Sequence, residues 1–266
     1  MLEYVIRQLP RSLSPSKVST FTTCPLAFRF SVIEHRPEPP TPATLKGTLI
    51  HRVLEGLFWN YQNGARSPQA AFDELDREWA LLVDNPDFIA LGLGPDQIQA
   101  FFEQAKTLIN NYFQLEDPND VRPIGVELGL EIQLKDAKLR GILDRLDITD
   151  DQDLIVIDYK TGRAPHSSYE NSRLSGVHIY ALLCQEIFGK TPVEVRLLYL
   201  LDPVTISAVP TEQSVRGQRS RTKAIWSAIE RACESDDFRP KLGPLCRYCN
   251  FQDLCPAFGA EPPTTA

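Results

Sequence analysis

Residues 141–162 read GILDRLDITDDQDLIVIDYKTG, and this stretch predicts two β-strands joined by a polar turn. The strands are expected over 141–148 and 154–160, on either side of a turn rich in aspartate. A run of apolar and β-branched residues that leads into an acid is typical of a buried strand that emerges at a site. The hairpin is therefore the expected centre of the fold.

The polar residues of this hairpin form a candidate cation site. Side chains alternate across a strand, so Asp158 and Lys160 face the same side, and Asp144 can reach them from the neighbouring strand. An acid and an amine at a strand end are also common as solvated surface residues. Two carboxylates with a lysine beside them match the chemistry of metal-assisted phosphodiester cleavage.

Composition limits the class of protein. The chain has 266 residues, 42% of them hydrophobic, with 28 Lys and Arg against 35 Asp and Glu for a net charge of −7. This balance excludes a protein that holds nucleic acid by bulk positive charge, so phosphate contacts must come from local patches and bound cations. No apolar run approaches the roughly 20 residues that span a bilayer, and the N-terminus lacks a signal-peptide core. We expect a cytoplasmic protein without a membrane partner.

Periodicity gives a coarse secondary structure around the hairpin. A proline-rich loop at 36–42 separates an N-terminal helix that starts after Ser14 from a second helix. Strands are expected at 124–128, 130–134, 193–200 and 204–209, and further helices at about 44–60, 68–83, 95–115, 169–188 and 211–234, with 84–87 and 92–95 as loop.

His51 is a second candidate ligand, four residues before Glu55 on one face of the predicted helix 44–60. A lone histidine on a helix is more often structural than functional. The residues alone therefore leave the role of His51 open.

The order of these motifs resembles the PD-(D/E)XK nuclease superfamily, in its RecB-like exonuclease branch. The chain contains three of the family's motifs in the family's order: Gly47-x-x-x-His51, Gly141-x-x-Asp144 and Asp158-x-Lys160. The resemblance implies an α/β fold, with a restriction-endonuclease-like mixed β-sheet flanked by helices. It also implies one nuclease domain over 14–256 with a helical insertion at about 68–115, and loose termini at 1–13 and 257–266.

The resemblance also implies roles for individual residues. His51, Asp144, Asp158 and the backbone carbonyl of Tyr159 would hold Mg²⁺ or Mn²⁺, and Lys160 would orient the attacking water and stabilise the phosphate. Glu127 resembles an acid that precedes the family's hairpin, and either assists a second cation or caps a strand edge.

The family places a Gln-x-x-x-Tyr motif on the helix after the hairpin. Tyr180 fits this motif as a catalytic residue, but Gly176 stands where the glutamine is expected.

Four cysteines suggest a further metal group. Cys246, Cys249 and Cys255 form a Cys-x₂-Cys-x₅-Cys pattern followed by proline, and Cys24-Pro25 is the obvious fourth ligand. Four thiolates suit structural Zn²⁺ as well as iron, while Cys-Pro recurs at ferredoxin-type ligands. One cysteine before the nuclease core and three after it resemble the [4Fe–4S] clasp of RecB-like and AddB-type nucleases. That likeness favours the cluster, which would join the N- and C-terminal regions.

A basic run lies in the first half of the last predicted helix, at Arg216, Arg219, Arg221 and Lys223. Such a run is usually a solvated face, but it also suits the backbone of a single DNA strand.

These features favour a metal-dependent DNA nuclease, expected to be a single-strand-end exonuclease in DNA repair or recombination. Two alternatives stay open, a non-catalytic DNA-binding or assembly module with the same fold and an endonuclease or flap nuclease with the same site. No Gly-x-x-x-x-Gly-Lys-Ser/Thr loop is present, so a helicase or repair-complex partner would supply any motor activity.

Overall fold

The predicted hairpin forms in the computed structural model of the chain, which describes residues 7–135, 137–165 and 170–261. Its second strand has the predicted bounds, whereas the first begins earlier, at Ala137. The turn between them is closed by a hydrogen bond from the Thr149 amide to the Asp153 carbonyl, 2.9 Å long. The centre of the fold was thus predicted correctly.

The hairpin belongs to a five-stranded mixed sheet with the order β1-β2-β3-β4-β5. β3 pairs antiparallel with β2 and parallel with β4, and β5 pairs antiparallel with β4. The strands are β1 (Pro123–Leu134), β2 (Ala137–Ile148), β3 (Leu154–Lys160), β4 (Glu194–Tyr199) and β5 (Val204–Ala208). A mixed sheet flanked by helices agrees with the predicted fold class.

Helices precede, interrupt and follow the sheet. They are α1 (Pro15–Thr23), α2 (Pro25–Phe28), α3 (Pro42–Asn60), α4 (Pro68–Leu82), α5 (Pro86–Ala90), α6 (Pro95–Leu115), α7 (Glu170–Phe188) and α8 (Glu212–Ser235), with a π-helical turn at Arg29–Ile33 and short 3₁₀ turns at Pro244–Tyr248, Gln252–Leu254 and Pro256–Phe258. Tyr169, the predicted first residue of the helix after the hairpin, lies outside the described residues.

α3 starts earlier than predicted, and the predicted loop at 84–87 is wrong at its end, where the short helix α5 begins. α3 begins at Pro42 rather than Thr44, because the Thr41 hydroxyl accepts a hydrogen bond from the Thr44 amide at 3.1 Å and so caps the helix. The unpredicted α5 begins where Asn85 accepts from the Asp87 amide at 2.8 Å. In both helices proline occupies the first turn, where its missing N–H has no partner to lose.

β1 is one continuous strand where two were predicted, at 124–128 and 130–134. Glu127 has a φ of +46° inside it, so the backbone is distorted without the strand ending. The break predicted at residue 129 is therefore absent, and the distortion lies two residues earlier.

The chain divides into two compact units. The larger unit is formed by Pro40–Leu130 and Ile142–Glu212, and the smaller unit by Met1–Pro39, Glu131–Gly141 and Gln213–Ala266.

In the larger unit, the buried faces of α3, α4 and α6 form one hydrophobic core with residues of β3 and β4. An aromatic cluster extends this core, because Trp79 packs against Phe88 and Phe102 at ring distances of 5.5 and 4.9 Å. Phe88, on α5, is buried, which explains why this short segment is ordered as a helix. The predicted helical insertion is therefore part of the core beside the sheet.

The smaller unit holds the N-terminal segment against β2 and the end of α8. Leu13 is fully buried and its amide donates to the Lys138 carbonyl at 2.8 Å. Arg7 forms an ion pair with Asp236, and Arg29 lies 3.5 Å from the same carboxylate. The described part of the predicted loose segment 1–13 thus makes specific contacts.

None of the helices in the described residues combines the length and hydrophobicity needed to cross a bilayer.

Candidate metal centre

His51 is carried to the site by a close approach of α3 to the end of β3. A side chain added at Gly47 would place its Cβ only 3.3 Å from Thr161 Oγ1, which is tighter than most such contacts. One helical turn later, His51 Nδ1 lies 3.4 Å from Asp144 Oδ1 and 3.6 Å from Glu127 Oε1. The spacing between Gly47 and His51 thus has a steric reason in the structure.

Asp144 is held by the hairpin itself. Its Oδ2 accepts a hydrogen bond from the Tyr159 amide at 2.6 Å, which leaves Oδ1 to face His51. The register pairs Arg145 with Ile157, so Asp144 and Asp158 face each other one step further along the two strands. Both aspartates are buried.

His51, Glu127 and Asp144 form a compact group of candidate ligands. One ligand atom from each lies within 4.8 Å of the other two. An imidazole and carboxylate oxygens together suit Mn²⁺, and carboxylate oxygens also suit Mg²⁺. The donor set therefore fits a hard divalent cation.

Asp158 stands beside this group and is engaged by two other predicted residues. Tyr180 Oη donates to Asp158 Oδ1 at 3.3 Å, and the Lys160 ammonium forms an ion pair with Oδ2. Apart from that ion pair, the buried Oδ2 has no hydrogen-bond partner among the described residues. A buried carboxylate oxygen of this kind is what a bound cation would satisfy.

The pKa shifts reflect crowded negative charge. Burial raises the pKa of Asp158, and the Asp144 carboxylate raises it further. Burial alone would lower the pKa of His51, but hydrogen bonds and charge from Asp144 and Glu127 raise it to about 10. For Lys160 the attraction of Asp158 likewise outweighs burial and raises the pKa, so the amine stays charged. The residues therefore create a field that favours a positive ion.

A buried arginine on β2 binds side chains of the hairpin and of α6. Arg145 is fully buried and pairs with Glu116 and Asp147, at 2.5 and 2.9 Å. It also donates to the Tyr159 hydroxyl at 2.9 Å, and its guanidinium lies 4.7 Å from the Phe58 ring centre. Its hydrogen-bonding groups hold the side chain of Tyr159, whose amide in turn orients Asp144. Sequence analysis did not identify Arg145, since a charged residue in a strand is usually exposed.

Glu55 is a further residue that the prediction did not assign to the site. It lines an open cleft of about 460 Å³ together with Gly47, His51 and Glu127. Burial and the nearby Glu127 raise the pKa of Glu55. The sequence feature that could have identified Glu55 was its spacing of four residues from His51 on one helix face.

Gly176 lies one turn before Tyr180 on α7. Among the described residues, nothing comes within 4 Å of a Cβ added at Gly176. The position where the family has glutamine therefore has space for the first side-chain carbon.

The four predicted cluster cysteines meet in the smaller unit. Cys24, Cys246, Cys249 and Cys255 all line one cavity of about 710 Å³. The Lys241 amide points at Cys24 Sγ at 3.5 Å and the Gly243 amide at Cys246 Sγ at 3.4 Å. Among the described residues, no three cysteine sulfurs lie within 4.8 Å of one another. The remaining two cysteines, Cys184 and Cys233, are buried elsewhere.

The predicted DNA-binding residues lie on α8, also in the smaller unit. Arg216, Arg221 and Lys223 are exposed and Arg219 is half-buried. Arg221 also lines the cysteine cavity.

Comparison with known proteins adds a family likeness. The family model described as the PD-(D/E)XK nuclease superfamily matches residues 12–256. The Gene 69 protein of Mycobacterium phage D29 is 22% identical over 270 residues, covering 92% of this chain and 96% of that protein. An uncharacterized protein of Rickettsia bellii is 26% identical over 171 residues, covering 56% of this chain and only 20% of its own length.

Among solved structures, the fold is similar to that of a candidate exonuclease from Eubacterium rectale. The TM-score is 0.51 at 11% identity, with 90% of this chain and 88% of that chain covered.

Proposed function

Because the chain belongs to the PD-(D/E)XK nuclease superfamily, we propose that it is a divalent-cation-dependent deoxyribonuclease acting as an exonuclease on single-stranded ends. The observation that carries the proposal is the meeting of His51, Glu127 and Asp144 beside the Asp158–Lys160 ion pair. The likeness to the RecB-like branch suggests DNA repair or recombination as the setting, with a helicase or repair-complex partner.

In this proposal His51, Asp144 and Asp158 would hold Mg²⁺ or Mn²⁺, with Glu127 and the Tyr159 carbonyl as further donors. When bound, the cation would neutralise charge on the scissile phosphate and favour deprotonation of water. Lys160, charged and 43% exposed, positions the attacking water and stabilises the phosphate oxygens as their charge grows. Burial raises the pKa of Tyr180, so its hydroxyl remains a neutral donor that holds Asp158 in place.

We also propose that the four cysteines hold a [4Fe–4S] cluster rather than Zn²⁺. The proposal rests on the likeness to the clasp of RecB-like and AddB-type nucleases, in which one N-terminal cysteine joins a C-terminal Cys-x₂-Cys-x₅-Cys run followed by proline. Backbone N–H groups directed at Cys24 and Cys246 also suit cluster thiolates, whose potential depends on such hydrogen bonds.

Replacement of Lys160 tests the catalytic proposal. We expect Lys160→Ala to lower Mn²⁺-dependent cleavage of an end-labelled single strand by about 10²-fold or more, because the charge at the phosphate is lost. The matched control is Lys106→Ala on α6, a half-buried lysine that pairs with Glu103 and lies over the Phe102 ring. Thermal unfolding of both variants checks that the fold is retained.

Unchanged cleavage by the Lys160 variant would exclude this role for the lysine. A closed circular single strand, assayed beside the linear one, separates the activities: an exonuclease leaves the circle intact, and an endonuclease cuts it. A wild-type chain that binds Mn²⁺ but cleaves neither substrate would favour the non-catalytic alternative.

A further inference from the structure

The two units of the chain carry opposite charge. The smaller unit has 16 Lys and Arg against 11 Asp and Glu, a net charge of +5, whereas the larger unit has 12 against 24, a net charge of −12. The overall charge of −7 conceals this difference. A basic region in an acidic protein is a local site for phosphate groups.

An exposed aromatic residue lies in the smaller unit, between two of the cluster cysteines in sequence. The ring of Tyr248 is 69% exposed, and the Arg247 guanidinium lies over it, 4.7 Å from the ring centre. Phe258 is also half exposed, and both aromatic residues line the mouth of the cysteine cavity. Exposed rings next to cationic side chains are the elements that single-strand binding proteins use to stack bases and pair with phosphates.

Two basic residues from separate segments line the same cavity as these rings. Arg221 comes from α8 and Lys241 from the segment before the cysteines. Among the described residues of the lining, Glu38 is the only acid, and its carboxylate accepts a hydrogen bond from Asn250 at 2.9 Å. The rim thus combines apolar stacking surface with positive charge from two elements.

We propose that this rim, formed by Arg221, Lys241, Tyr248 and Phe258 together with Arg247 over the Tyr248 ring, binds single-stranded nucleic acid independently of the cation site. Bases stack on Tyr248, and Arg221 and Arg247 contact the backbone phosphates. The occupant is a single strand rather than a duplex, because only unpaired bases can leave the stack to cover an exposed ring. The inference adds a second substrate contact to the proposed nuclease, and it does not require catalysis.

The test measures binding of a fluorescently labelled oligothymidylate by anisotropy. It uses the full chain, purified anaerobically, in chelator so that no cleavage occurs. We expect Tyr248→Ala to weaken binding about tenfold, within the range of one stacked base, and Tyr248→Phe to bind within about twofold of wild type. Trp59→Ala is the matched control, since Trp59 is equally exposed at 69% but lies in the acidic unit, and it should bind like wild type.

Arg221→Gln provides a second variant on α8, outside the cysteine segment. Loss of one phosphate contact should weaken binding and lower the slope of log affinity against log salt by about 0.7. If Tyr248→Ala retains its iron and binds like wild type, the proposal is wrong. If that variant loses iron, the Arg221 variant decides, and unchanged affinity and salt slope overturn the proposal.

The same measurements keep this inference separate from the nuclease proposal. A Lys160→Ala chain that still cleaves refutes the catalytic assignment and leaves the binding results unaffected. Weaker binding of a duplex by Tyr248→Ala, equal to its effect on the single strand, would also contradict base stacking.

Discussion

At the scale of single residues, the candidate metal centre contains a strained backbone at Glu127 and a buried carboxylate at Asp158. Glu127 adopts a φ of +46° in a strand, a conformation that costs about 1–3 kcal/mol for a residue other than glycine. Asp158 keeps a carboxylate oxygen buried, and the ion pair with Lys160 is its one charge partner among the described residues. Such strain persists when neighbouring structure enforces it, as the His51 and Asp144 contacts do here. Cation binding would relieve the crowding of acids that these positions create.

His51 leads to a prediction about pH. Its pKa in the folded, metal-free chain is about 10, above the ordinary value of 6.5. The protonated imidazole therefore stabilises the fold fully below about pH 6.5, and this contribution is lost as the pH rises towards 10. In chelator, the free energy of unfolding of wild type should fall more steeply between these values than that of His51→Gln.

Urea unfolding at several pH values checks this, and parallel curves for the two proteins would contradict it. A calorimetric titration provides a second readout. Because a ligand imidazole must be neutral, Mn²⁺ binding near pH 8 should release about one proton from wild type, and less from the variant.

At the scale of secondary-structure elements, close packing of α3 on α4 limits what the helices tolerate. A Cβ added at Gly56 would lie 2.5 Å from Glu74 Oε2 and 2.9 Å from its Cδ. Glu74 is buried and cannot move freely, since it accepts hydrogen bonds from Asn60 at 3.0 Å and Arg77 at 2.6 Å. Gly56 therefore lets α3, which carries His51, lie against its neighbour.

Two glycine-to-alanine replacements should act in opposite directions. Gly56→Ala should lower the free energy of unfolding by about 1–3 kcal/mol, because overpacking displaces Glu74. Gly217→Ala on α8 is the control, because among the described residues nothing lies within 4 Å of its added Cβ. It should raise stability by up to about 1 kcal/mol through helix propensity. Urea unfolding measures both, and a stabilising Gly56→Ala would refute the packing argument.

At the scale of the whole molecule, the cysteine cavity joins parts of the chain that are distant in sequence. Cys24 and Cys246 are separated by more than two hundred residues, yet they line one cavity in the smaller unit. A metal group that bridges them restricts the unfolded chain, and the entropy gained grows only logarithmically with loop length. The cluster would act as a structural clasp.

Removal of one clasp cysteine tests this role. Cys24→Ser should lose iron and the visible absorbance of the cluster, and should be less stable by about 5 kcal/mol in the chain-entropy picture. Cys233→Ala is the matched control, because that thiol is buried outside the cavity and its loss should leave the iron content unchanged. Iron and zinc analysis of anaerobically purified protein decides between the metals, and zinc in place of iron would overturn the cluster proposal.

Local sequence determined the elements of this protein more fully than their arrangement. The bounds of β3 were predicted as found and those of α6 approximately, and the common face of Asp158 and Lys160 followed from the alternation of side chains along a strand. These features depend on neighbours in sequence, so periodicity and turn chemistry are sufficient to predict them.

Only the tertiary structure decided which groups meet. His51, Glu127 and Asp144 come from three elements, and the place of Glu127 beside the histidine depends on a backbone distortion that no residue pattern signals. The burial of Arg145 under the hairpin and the sorting of charge between two units likewise appear only after folding. The physical reason is that long-range contacts depend on how helices and strands pack, and His51 meets acids that lie 76 and 93 positions further along the sequence.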